Sequence, residues 1–88
     1  MGSLLSSDER RILEAAHDAE TGEVEGHLTD VVRRTLGQLA GPEFRQGVAS
    51  LAGRNLLAAQ VAVKADGEVG RVVIERTTFL GRRAIGRR

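Results

Sequence analysis

The chain has 88 residues, enough for one small domain with a single modest core. Cysteine is absent, which excludes disulfides and thiolate metal centres, while 41% hydrophobic and 28% charged residues place the chain among globular rather than disordered sequences. The net charge is only +1 but unevenly spread: residues 1–30 hold eight acids against two arginines, and residues 71–88 hold six arginines against one acid.

That polarity predicts one acidic and one basic face. Nucleic acid is the first partner to consider for the basic end. An acidic protein, or the acidic half of a second copy, is the alternative. No apolar run approaches the ~18 residues that a membrane span needs. Leu4-Leu5 is followed at once by Ser6-Ser7-Asp8-Glu9, unlike a signal peptide, so a cytoplasmic location is expected.

Ser6 and Glu9 have the spacing of a capping box, and Ile12, Leu13, Ala16 and Ala19 share one face, which predicts a first helix over 7–20. Thr21-Gly22-Glu23 breaks it, and Val24 falls in a segment able to pair as a minor strand. Leu28, Val31, Val32, Leu36 and Leu39 predict a second helix over 28–39, with Arg33 and Arg34 off its apolar stripe. Pro42 suits the first turn of a third helix over 42–53, whose inner stripe is Phe44, Val48 and Leu51. Asn55 tolerates a positive φ and so can end that helix.

Alternation then predicts a strand over 58–64, an Asp66-Gly67 turn and a return strand over 71–76. A lone hairpin is marginal in water. It is expected to pack an apolar side, drawn from Val61, Val63, Val73 and Phe79, on the helices. Residues 1–6 are read as an N-terminal tail or cloning remnant, 7–83 as the domain, and 84–88 as a basic tail.

In this order the segments resemble the winged helix-turn-helix family of bacterial and archaeal transcription regulators over about residues 8–83. The resemblance is carried by Asp8-Glu9-Arg10-Arg11-Ile12-Leu13-Glu14 and by Val31-Val32-Arg33-Arg34-Thr35-Leu36-Gly37. The spacing of Phe44, Val48, Leu51 and Asn55-Leu56-Leu57 adds to it. So does Ile74-Glu75-Arg76-Thr77-Thr78-Phe79-Leu80-Gly81-Arg82-Arg83, which is similar to a last wing strand with a Thr-x-x-Gly-Arg ending. The chain departs from the pattern at Asn55, where the family usually has glycine, and at Arg33, where it has a small residue. Its connection into the third helix is also one residue longer. The resemblance implies an α+β winged-helix fold: a three-helix core with a two- or three-stranded β-wing. It further implies a small regulator that binds double-stranded DNA and needs no cofactor.

With Phe44, Val48 and Leu51 inward, the third helix would present Gln46, Ala49, Ser50 and Gly53 outward, flanked by Arg45 and Arg54. Glutamine suits adenine, arginine guanine, and serine a base or a phosphate. Arg33, Arg34, Lys64 and Arg71 are candidates for phosphate contacts; the bland alternative pairs these arginines with first-helix carboxylates. Arg82, Arg83, Arg87 and Arg88 would form either a basic arm or a frayed end. The acidic tip Asp66-Gly67-Glu68 favours a wing that supports rather than inserts into a minor groove. His17 and His27 lack metal-ligand spacing, and no nucleophile motif or phosphate-binding glycine loop is present, so no enzyme is expected. Such regulators commonly act as homodimers on paired half-sites. The alternative reading is a winged-helix module that docks a partner protein without binding DNA.

Overall fold

A computed structural model describes residues 5–22, 27–37 and 41–86. Along these residues the chain forms α1 (Ser7–Thr21), α2 (Leu28–Thr35), α3 (Gly41–Gly53), β1 (Leu57–Val63), β2 (Val69–Thr77) and α4 (Phe79–Ala84). The architecture is α+β: four described helices around a two-stranded antiparallel sheet. This order is compatible with a winged-helix layout.

The capping box at α1 is formed in both directions. Ser6 Oγ accepts from the Glu9 amide at 3.1 Å, and the Ser6 amide donates to Glu9 Oε1 at 2.9 Å. Ile12, Leu13 and Ala16 are fully buried on the predicted stripe. The expected minor strand around Val24 lies outside the described residues.

The second helix is shorter than its periodicity predicts. It ends at Thr35 rather than near residue 39. Thr35 Oγ1 donates back to the Val31 carbonyl, and the Leu36 amide closes the last turn on Val32. Leu36 leaves the helix yet still enters the core, which is why the stripe seemed to continue in the sequence. Gly41, at φ +48°, opens α3.

The end of α3 is as expected. Asn55 has φ +59°, its amide donates to the Ala52 carbonyl, and the Leu56 amide reaches the Leu51 carbonyl at 2.9 Å. These two bonds make a Schellman motif with Asn55 in the left-handed position. The hairpin turn also follows the sequence: Gly67 has φ +88°, and Asp66 Oδ1 accepts from the Glu68 amide.

The buried face of the hairpin differs from the prediction. Val61 packs partly buried against the core as expected, but Val63 and Phe79 are each 62% exposed and Val73 is exposed, whereas Leu57, Val72, Ile74 and Thr77 are buried. The register shows the cause. Ala58 pairs with Arg76 but Ala59 pairs with Ile74, and Ala62 pairs with Arg71 but Val63 with Val69. Each jump inserts an extra residue in β2, at Glu75 and at Gly70. Each therefore resets which parity faces the core.

The outer edge of β2 is held by α2, where Thr29 Oγ1 accepts the Ile74 amide at 2.8 Å. Its far end is held by α1, where the Glu20 carboxylate accepts the Thr77 amide.

The segment after the wing is a helix. Thr78 Oγ1 donates to the Asn55 carbonyl at 2.7 Å and caps α4 by accepting the Gly81 amide. Gly81 lies so close to the chain that a Cβ there would overlap the Leu56 carbonyl oxygen. Ile85, the residue that follows α4 and lies one turn beyond buried Gly81, belongs to the core, and Leu5 packs against that core from the other end of the chain. The expected tail boundaries at 6 and 84 therefore fall among residues that contribute to packing.

Candidate functional site

Helix α3 meets the rest of the molecule through Phe44, Gly47, Val48 and Leu51. Opposite that face is a ridge of Pro42, Gln46, Ala49 and Gly53, exposed except for half-buried Ala49. It carries no charge. The polar residues beside it are engaged on either flank.

On the α1 flank, Ser50 Oγ donates to Glu9 Oε2 at 2.6 Å and Arg54 Nη2 reaches the same oxygen at 2.5 Å. Glu9 is 9% exposed. Burial pushes its carboxyl up. The Ser50 hydroxyl, the Ser6 amide and hydroxyl, and the Arg54 guanidinium together outweigh that effect and hold the pKa at about 2, below the ordinary 4.5. Ser50 and Arg54 thus clamp α3 to α1 rather than standing free on an outer surface.

On the other flank, Arg45 Nε donates to the Val69 carbonyl at 3.1 Å, fastening α3 to the start of β2. The guanidinium of Arg33 lies over the Phe44 ring, 5.4 Å from its centroid. Both arginines, together with Arg71, line a groove of ≈ 650 Å³ between α2 and β2. His27, Asp30 and Glu75 line it as well. Among the described residues, none of the three arginines forms a salt bridge, and the alternative expected for Arg33, Arg34 and Arg71, pairing with α1 carboxylates, is not found.

The ten residues singled out from sequence therefore separate into groups. Arg33, Arg45 and Arg71 come together in one groove. Ser50 and Arg54 join Glu9. Gln46 stands on the outer ridge of α3. Arg34 is exposed on α2. Lys64, exposed at the wing, runs its stem across Gly70, where a Cβ would meet the Lys64 Cγ at 3.0 Å. Arg82 Nη1 donates to the carbonyl and the hydroxyl of Thr77, 3.3 Å from each, and Arg83 lies over the Phe79 ring at 5.6 Å.

Three buried polar residues hold this arrangement: Thr29 and Thr77, not singled out from sequence, and Glu9, read from sequence only as a helix-capping residue. Glu9 had a legible signal, because it lies three and four residues before Ile12 and Leu13 and so on their stripe. Thr29 likewise precedes Val32 by one turn. Counted from buried Val72 and Ile74, simple alternation would point Thr77 outward, and the bulge at Glu75 turns it in.

No described helix is long and apolar enough to cross a membrane. The chain matches no protein-family model, no curated protein and no solved structure.

Proposed function

We propose that this chain is a double-stranded DNA-binding domain of winged-helix type, a small regulator that positions itself through phosphate contacts and performs no chemistry. The order of three helices followed by a hairpin supports the winged-helix reading. The observation that carries the DNA reading is the groove in which Arg33, Arg45 and Arg71 converge from α2, α3 and β2 without a carboxylate partner in a salt bridge. Arginine donors converging in one place suit phosphate oxygens, and such contacts dominate the affinity of proteins for DNA. Exposed Arg34 and Lys64 extend the cationic surface. In this reading α3 faces the major groove, with Gln46 suited to adenine and Ala49 to the methyl group of thymine. Ser50 and Arg54 take no part, since Glu9 holds them.

Fluorescence anisotropy with labelled duplex DNA at low and near-physiological salt tests this reading. Wild-type binding should weaken steeply with salt. The triple variant Arg33→Ala, Arg45→Ala, Arg71→Ala should bind more weakly and lose about one unit of salt slope per arginine. Absence of wild-type binding at low salt would overturn the proposal, and so would an unchanged triple variant. The uncharged ridge of Pro42, Gln46, Ala49 and Gly53 favours a second reading, a protein-docking module, which absence of DNA binding would support.

A further inference from the structure

The groove between α2 and β2 holds charges of both signs. Arg33, Arg45 and Arg71 line it from α2, α3 and β2, and so do Asp30 and Glu75. A pure polyanion gains from the three guanidiniums but is repelled by the two carboxylates. The acids point instead to a ligand that also donates hydrogen bonds.

The partners of these groups narrow the choice. Glu75 Oε2 accepts from Gln60 Nε2 on β1 at 3.5 Å. Asp30 is exposed in the first turn of α2, one turn before Arg33, a spacing at which aspartate and arginine can pair. Among the described residues that pair is not formed. Arg33 lies over the Phe44 ring instead, and Arg45 uses only its Nε, on the Val69 carbonyl. The Nη groups of three arginines and the carboxylate of Asp30 are thus left for a ligand. The cleft of ≈ 650 Å³ that they line falls within the range of small-molecule sites, about 300–1,000 Å³.

Geometry selects the anion. A carboxylate offers two oxygens in one plane. A phosphate monoester offers three around a cone, which suits arginines arriving from three separate elements. Asp30 then calls for a donor on the same ligand, and hydroxyl groups near the phosphate supply it. We propose that this groove binds a small hydroxylated phosphate monoester, its phosphate on Arg33, Arg45 and Arg71 and a hydroxyl on Asp30, and that the bound ligand displaces duplex DNA from the same arginines. The binding stands apart from the DNA reading; only the displacement rests on it. Because both partners need the same guanidiniums, each weakens the other.

Isothermal titration calorimetry on the full chain at fixed ionic strength, with ribose 5-phosphate, ribose and inorganic phosphate as probes, reads the site without DNA. Ribose 5-phosphate should bind one per chain and roughly tenfold tighter than inorganic phosphate, and ribose should show no binding. Arg71→Ala removes an exposed side chain, so circular dichroism should stay unchanged while ribose 5-phosphate binds roughly tenfold more weakly. Asp30→Asn should erase the preference over inorganic phosphate, because it relieves the repulsion of the bare ion and weakens the hydroxyl contact. The displacement is read by anisotropy: ribose 5-phosphate should release labelled duplex where inorganic phosphate at equal ionic strength does not. No heat from ribose 5-phosphate at millimolar concentration overturns the ligand site, and so does binding that Arg71→Ala and Asp30→Asn both leave unchanged. A duplex that stays bound at saturating ribose 5-phosphate overturns the displacement. A chain that takes ribose 5-phosphate but no duplex overturns the DNA reading and the displacement together, and the ligand site stands.

Discussion

The two carboxylate oxygens of Glu9 serve different elements. Oε1 closes the cap of α1 on the Ser6 amide, and Oε2 takes the Ser50 hydroxyl and the Arg54 guanidinium from α3. The pKa held at about 2 makes the site a source of pH-dependent stability. A folded-state pKa below the unfolded value adds stability that is present above about 4.5 and is lost as the pH falls toward 2. A shift of this size corresponds to ~3 kcal/mol. Urea denaturation at a series of pH values, wild type against Glu9→Gln, should show the variant less stable at pH 7 and the difference closing across that acid window. A constant difference would mean that packing, and not ionisation, is what Glu9 contributes. Gly81 makes a second prediction at the scale of one atom. Gly81→Ala would drive its methyl group into the Leu56 carbonyl and should destabilise by ~1–3 kcal/mol in thermal unfolding. Gly53→Ala, which meets nothing within 4 Å, should be neutral or mildly stabilising in the same measurement.

Element by element, α1 and α3 were legible with their ends, whereas the end of α2 and the existence of α4 were not. The Ser6–Glu9 cap, the Phe44–Val48–Leu51 stripe and the Asn55 stop are short-range patterns, and each is formed by the residues that suggested it. The hairpin was legible in position but not in facing. Two bulges in β2 bring Val72, Ile74 and Thr77 inward and leave Val73 outside, while Val63 is exposed at the turn end of β1. Alternation cannot reveal a bulge, because the extra residue is set by what β2 must reach on both sides. One of those contacts is testable. Thr29 Oγ1 supplies the acceptor that a third strand would otherwise offer to the buried Ile74 amide. Thr29→Val keeps the shape and removes the acceptor, so it should cost ~1–3 kcal/mol in denaturant unfolding. Faster hydrogen exchange at the Ile74 amide should accompany that loss, and unchanged exchange would show that the bond carries little.

Across the whole molecule the opposite charges of the two chain ends acquire separate places. Glu20 of α1 holds the end of β2 just before α4, and Arg33, Arg45 and Arg71 gather in a groove between α2 and the hairpin. The proposed role belongs to that groove, where duplex phosphates would sit, and added salt weakens the association by screening. Order and type of the main elements followed from the sequence alone, because hydrophobic period, capping residues and turn residues act within a few positions of one another. The sequence also contained all ten candidate polar residues without distinguishing those that would meet. Only the tertiary structure separated Arg33, Arg45 and Arg71, which share a groove, from Ser50 and Arg54, which a buried carboxylate on α1 engages. That division depends on how helices cross and where a strand bulges, and those outcomes are settled by packing between residues some forty positions apart, as Glu9 is from Ser50 and Thr29 from Ile74.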